Sequence, residues 1–177
     1  VRKIVASSSA GIYGELRTMP IHEGHPLDPL TPYGASKLCM EKQCLAYAAT
    51  HGIEAVALRY FNVYGPNQRF DAYGNVIPIF VFNALQGRPI TIFGDGKQTR
   101  DFVNVADVAQ ANIKAAMAPG VSGAFNIASA NQTCRSSPIF LVSSIHVENV
   151  VYAPTNAVPA SSATLGLNAS PPKKPSS

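Results

Sequence analysis

No run of apolar residues in this 177-residue chain reaches the roughly twenty needed to cross a bilayer, so no membrane-spanning helix is expected. Charge is scarce too: Asp, Glu, Lys and Arg make up 14% of the chain. The net charge of +4 is spread out, with Arg59, Arg69, Arg88, Lys97 and Arg100 each isolated along the sequence. A basic stripe able to track a phosphate backbone is therefore missing, and no nucleic-acid partner is expected. The mild positive balance fits a small anionic ligand such as a diphosphate. Cysteine is limited to Cys39, Cys44 and Cys134, an odd number without metal-type spacing. The expectation is buried free thiols in a reducing compartment. His22-Glu23-Gly24-His25 comes nearest to a metal motif, but its spacing is not the i, i+4 pattern of a helical zinc site. Pro20, Pro26 and Pro29 place it in a loop, so no metal is expected. The opening residues show no secretory signal pattern, which points to the cytoplasm. Without such a signal the acceptor-like Asn131-Gln132-Thr133 and Asn168-Ala169-Ser170 mean little.

What is present is an ordinary globular composition, 46% hydrophobic, in a chain long enough for one domain with a real core. Lys3-Ile4-Val5-Ala6-Ser7-Ser8 reads as a buried strand whose end delivers a serine cluster. Residues 15–31 hold Gly24 and several prolines and read as a loop. Thr31 is a plausible N-cap and Pro32 a first-turn residue for a helix that Gly52 stops near His51. Leu38, Leu45 and Ala48 fall at helical spacing and are expected to face the core. Glu54 to Tyr60 alternates as the next parallel strand would, which makes a βαβ crossover. Further on, helices are expected over 75–86 and 107–117, with short strands over 89–94, 101–105 and 124–127. After Ala130 the composition shifts: from Ser136 to Pro172 the only charged residue is Glu148. The last residues, from Ser170, read as a disordered tail.

Tyr33 and Lys37 are one helical turn apart and so share a face of the first helix. An ammonium beside a phenol favours the phenolate and draws a pKa of about 10 toward neutrality. Such a tyrosine can take a proton from a sugar hydroxyl while hydride leaves the same carbon. The spacing alone is common; the order is what carries weight. Ser7-Ser8-Ser9-Ala10-Gly11-Ile12-Tyr13-Gly14 lies upstream and Leu58-Arg59-Tyr60-Phe61-Asn62-Val63-Tyr64-Gly65-Pro66 downstream.

In that order the motifs resemble the extended short-chain dehydrogenase/reductases, specifically the NAD-dependent epimerase/dehydratase family, over roughly residues 2–128. The run Thr99-Arg100-Asp101-Phe102-Val103-Asn104-Val105 is similar to the same family. The likeness is closest to its UDP-glucose 4-epimerase branch. It implies an α/β fold: part of a doubly wound, Rossmann-like parallel sheet joined to part of a small C-terminal substrate lobe. Residues 1–130 would be the second half of the NAD-binding domain with substrate-lobe segments, and 131–177 a divergent segment. The implied cofactor is NAD, the implied substrate a UDP-hexose, and the implied assembly a homodimer. By the resemblance Tyr33 is the base, Lys37 binds the nicotinamide ribose, and Ser9 holds the reacting hydroxyl, with Ser8 its rival. Ser7 and Tyr60 would lie along the cofactor. Phe61, Asn62, Asn75, Phe93 and Arg100 would meet the sugar, diphosphate or uracil. Family 4,6-dehydratases carry Thr-Asp-Glu before the Tyr-Gly; here Ser9-Ala10-Gly11 brings no carboxylate, which favours epimerisation. A 4,6-dehydratase or a heptose 6-epimerase is the alternative within the family.

Two departures qualify the likeness. No Gly-x-x-Gly-x-x-Gly turn for a dinucleotide pyrophosphate occurs in these residues. The stretch from Tyr152 to Pro159 lacks the arginine and acidic residue that the family places in its closing lobe. Together they suggest an incomplete form whose end is read out of frame. The competing class is a catalytically inactive fragment or binding module.

Overall fold

β1 (Lys3–Ser9) runs parallel to β2 (Glu54–Tyr60), with Lys3 opposite Glu54 and Ser9 opposite Tyr60. The crossover between them is α1 (Pro32–His51), so the expected βαβ unit is present. Thr31 caps α1 by accepting from the Gly34 amide, Pro32 opens it, and Gly52 closes it in the left-handed region at φ 64°. On its far side β2 pairs in parallel with β6 (Gly123–Ile127), giving the order β1-β2-β6. The computed structural model describes residues 1–69, 75–93, 100–129 and the backbone of 150–153. Readings that fall on Gly94–Thr99, Cys134, the two acceptor-like asparagines, the charge-poor stretch and the tail lie outside those residues.

Ala55 to Arg59 are all buried, so β2 is covered on both faces, as the expected parallel strand of such a sheet is. Alternation puts Ala55, Ala57 and Arg59 on one face, the face on which Glu41 of α1 meets Arg59. Val56, Leu58 and Tyr60 take the other face, and each buried aliphatic side chain there contributes roughly 1.5–3 kcal/mol. One correction concerns α1: Ala48 is buried as expected, but Leu38 and Leu45 are only half-buried, and Gly34 and Glu41 are the other buried positions. A second concerns the thiols. Cys39 is exposed and Cys44 half-buried, and neither is disulfide-bonded.

β3 (Asn62–Tyr64) pairs in parallel with β5 (Phe102–Asn104), and β4 (Ile90–Phe93) with β7 (Val150–Ala153). α2 (Val76–Leu85) packs on β4 around Phe80, Ile90 and Ile92. α3 spans Val105–Met117, two residues earlier than expected, because Asn104 caps it by accepting from the Ala106 amide at 2.8 Å. No described helix is long and apolar enough to cross a membrane.

Candidate active site

At the carboxyl end of β1 three consecutive serines are spent in three different ways. The Ser7 carbonyl accepts from Lys37 Nζ at 2.9 Å, and its hydroxyl lies 3.1 Å from the Tyr60 hydroxyl. Ser8 is buried and donates to Glu41 Oε2 at 2.8 Å. Ser9 Oγ accepts from the Gly11 amide at 3.1 Å and so caps a short 3-10 turn, Ala10–Ile12.

Tyr33 comes to the same place from the first turn of α1. A Cβ built on Gly11 would meet Ser9 Oγ at 3.4 Å and the Tyr33 Cδ1 and Cε1 atoms at 3.9 Å, so the hydroxyl and the ring flank one glycine. Close approach of helix and turn depends on Gly34: a Cβ there would lie 2.5 Å from the Gly11 carbonyl oxygen and 2.9 Å from Pro29 Cβ. Lys37 Nζ stands 5.8 Å from the Tyr33 ring centroid, within cation–π reach. Tyr33 is 58% exposed and open to a ligand.

Tyr60, one strand over, is held more tightly. Its hydroxyl donates to Asn112 Oδ1 of α3 at 2.9 Å, so Ser7 must supply the proton in the Ser7–Tyr60 bond. Asn112 in turn donates to the Val108 carbonyl at 2.7 Å. The other expected ligand contacts are more scattered. Phe61 is half-buried just beyond β2, and Asn62 directs both its backbone and side-chain N–H groups to the Asp101 carbonyl. Asn75 occupies the N-cap position of α2, but its side chain makes no capping bond and reaches the Val63 carbonyl at 3.4 Å. Phe93 ends β4 and Arg100 precedes β5, both exposed.

The group that sequence reasoning missed lies directly behind the serines. Ser8, Arg59 and Asn126 stand opposite one another across β1, β2 and β6, so they share one face of the sheet. Arg59, read from sequence as an isolated charge, is 4% exposed and forks onto Glu41, which is 0% exposed. Arg59 Nη2 lies 2.6 Å from Oε1 and Nε 3.1 Å from Oε2. Its Nη1 donates to the Tyr13 hydroxyl at 2.8 Å and the Glu23 carbonyl at 3.0 Å. The Tyr13 hydroxyl in turn donates a hydrogen bond to Asn126 Oδ1 at 2.5 Å. Asn126 closes the circuit, its side chain donating to the Ile21 carbonyl and its amide to Glu23 Oε1.

Electrostatics follow from that wiring. Burial pushes the Glu41 carboxyl up, but hydrogen bonds from Arg59 and Ser8 with the Arg59 charge outweigh it, and its pKa lies below the usual range. Burial raises the Tyr13 phenol more than its Arg59 and Asn126 bonds lower it. The Asn126 amide holds Glu23 below its usual value. His25, from the metal-like tetrad, is buried edge-on to Tyr13. Its Nε2 accepts from the Arg17 amide at 3.0 Å, which leaves Nδ1–H to donate to the Pro26 carbonyl at 3.1 Å. Both ring nitrogens thus serve the loop, and no cluster of metal-ligating side chains occurs among the described residues.

A serine, a tyrosine and a lysine at the carboxyl end of a parallel strand match a known pattern. The family described as NAD dependent epimerase/dehydratase matches residues 1–128. The chain belongs to that family. A putative UDP-glucose 4-epimerase of Methanocaldococcus jannaschii is 48% identical over 116 residues, covering 65% of this chain and 38% of the relative. The UDP-glucose 4-epimerase of Streptomyces lividans is 41% identical over 126 residues, again 65% of this chain and 38% of the relative. A crystal structure of the Thermotoga maritima UDP-glucose 4-epimerase with UDP-glucose superposes at a TM-score of 0.79 and 35% identity. It covers 87% of this chain and 51% of that one. The chain therefore spans about two fifths of these curated relatives and half of this solved structure. As a member of this epimerase/dehydratase family it has the expected α/β architecture, a parallel sheet with helices packed on it.

Proposed function

We propose that this chain carries the reacting half of an NAD-dependent UDP-hexose 4-epimerase. The observation that supports it is the meeting of Ser9 Oγ and the Tyr33 ring around Gly11, with the Lys37 ammonium 5.8 Å from that ring. In this reading the Tyr33 oxygen takes the proton of the sugar's C4 hydroxyl and later returns it. Ser9 Oγ orients that hydroxyl, and the Lys37 charge favours negative charge developing on the phenol oxygen. A nicotinamide bound beside them supplies the acceptor and donor of hydride at C4.

The residues present fit the nicotinamide-ribose end of NAD. An ammonium has three donors, and the Ser7 carbonyl takes one, so Lys37 retains donors for a ribose diol. Ser7 and Tyr60 line the same strand ends, where open α/β sheets bind ligands. Phe61, Asn62, Asn75, Phe93 and Arg100 form the outer, nucleotide-sugar side of this reading. Dehydration is disfavoured because the nearest helix carboxylate, Glu41, is occupied by Arg59 and Ser8. The same reading takes the protein as cytoplasmic and homodimeric. A mostly apolar groove of about 580 Å³ along α1, lined by Ile4, Gln43, Cys44, Ala46, Tyr47 and Thr50, suits a second copy.

The test is a fusion of the part of the Methanocaldococcus relative that this chain does not cover to this chain, assayed for conversion of UDP-glucose to UDP-galactose. Tyr33→Phe is expected to lower kcat by a factor of about 10²–10⁴ with UDP-glucose binding retained. Unchanged turnover would remove Tyr33 from the role of base. For these 177 residues on their own, a second reading, a binding module without turnover, is supported by their containing no Gly-x-x-Gly-x-x-Gly turn. Titration of the purified chain with NAD is expected to show no tight stoichiometric binding.

A further inference from the structure

Tyr33, Lys37 and Glu41 follow one another at four-residue steps along one face of α1. Each meets the end of β1: Tyr33 beside Ser9, Lys37 on the Ser7 carbonyl, and Glu41 on the Ser8 hydroxyl. Glu41 lies eight residues from Tyr33, about 12 Å along the helix axis. Its carboxylate receives the Ser8 hydroxyl and both arms of the Arg59 fork. Arg59 is itself fixed by Tyr13 and the Glu23 carbonyl, and stands in one row with Ser8 and Asn126.

An apolar contact at position 41 would hold the helix against the sheet without choosing its rotation, because hydrophobic contact is non-directional. A fork–fork ion pair is directional. A slip of one residue would carry Tyr33 by about 1.5 Å along the axis and about 100° around it. Gly34 against the Gly11 carbonyl limits approach at the other end of the face but makes no directional bond through a side chain.

We propose that Glu41 is a positioning residue which, through Ser8 and Arg59, sets the rotation and axial position of α1 so that Tyr33 and Lys37 face Ser9. The same bond withdraws the Ser8 hydroxyl from any ligand, so the clamp also decides which serine of the cluster is presented. The proposal rests on the reading of Ser9, Tyr33 and Lys37 as the reacting group, and its test reads geometry apart from chemistry.

The experiment is NMR on the isotopically labelled chain, following nuclear Overhauser cross-peaks between the Tyr33 ring and Gly11 Hα, together with the urea midpoint of each variant. The first variant combines Glu41→Leu with Arg59→Leu. Replacing a buried ion pair by apolar residues is often neutral or stabilising, so the midpoint is expected to hold. The Tyr33–Gly11 cross-peaks are expected to be lost nonetheless, and that split marks positioning over mere stability. The second variant, Ser8→Ala, keeps the ion pair and removes only the tie to β1; the cross-peaks should weaken, and Ser8→Thr should restore them. Wild-type cross-peaks in a folded double variant would overturn the proposal. So would wild-type cross-peaks in Ser8→Ala, which decides the matter alone if the double variant does not fold. Turnover surviving Tyr33→Phe in the fused enzyme would instead sink the chemical reading and leave the clamp standing.

Discussion

Arg59 has five donor N–H groups, and four are accounted for by Glu41, Tyr13 and the Glu23 carbonyl. Taking the cation away alone is a different perturbation from replacing the pair. Arg59→Leu strands the Glu41 carboxylate in a site with no water access and leaves only the Ser8 hydroxyl to satisfy it. The expected loss is about 3–5 kcal/mol of unfolding free energy, read as a fall in the urea midpoint. Arg59→Lys should recover only part of it, because a single ammonium cannot reproduce the two parallel bonds to Oε1 and Oε2. A loss below about 1 kcal/mol for Arg59→Leu would mean that Glu41 is neutral or hydrated in the native state.

At the scale of elements, α1 shows what the sequence displays and what it hides. Its limits were legible because local chemistry sets them: a Thr cap, a first-turn proline and a terminal glycine at φ 64°. The β1–α1–β2 crossover was legible for the same reason, from one strand run, one helix and a second strand run. The face that α1 buries was not. Leu38 and Leu45 suggested an apolar stripe, whereas the fully buried side chain is Glu41. Its partner Arg59 is 18 residues away on the next strand, so no spacing rule joins them. The available signal was the position of Glu41 one turn beyond Lys37, on the face already assigned to the site. The burial of Arg59 was hidden in the same way, since a strand flanked on both sides by others is recognised only once the order β1-β2-β6 is known. Gly34 was missed because its demand comes from a turn distant along the chain but close in space, not from its own backbone angles. That demand makes a prediction for the element. Gly34→Ala forces a Cβ into the Gly11 carbonyl and Pro29, so α1 must move away from the turn. The expected cost is about 1–3 kcal/mol in urea unfolding, despite the better helix propensity of alanine. A neutral or stabilising Gly34→Ala would show that the helix and the turn are not in contact.

For the molecule as a whole, the buried circuit joins β1, β2, β6, α1 and the loop before α1, so its protonation is expressed as global stability. Glu41 and Glu23 both have folded pKa values below their ordinary ones, as does Glu54, paired with Lys3 at the amino ends of β1 and β2. A depressed carboxylate binds fewer protons folded than unfolded, so its contribution is fully present above the ordinary carboxylate range, about 4.3. It is lost as the pH falls through the folded value. The urea midpoint should therefore decline steadily on acidification below about pH 4.5. Combining Glu41→Leu with Arg59→Leu should make that decline shallower, since the most buried of the three carboxylates is gone. Tyr13 acts at the opposite end. Its folded pKa is raised by burial, so the neutral phenol's contribution is present below about pH 10 and lost as the pH rises through the folded value. Tyr13→Phe removes the bonds to Asn126 and from Arg59 and lowers stability at neutral pH, but it should flatten the alkaline limb. An acid limb of unchanged slope in the double variant would show that Glu41 is not the carboxylate whose protonation opens the sheet.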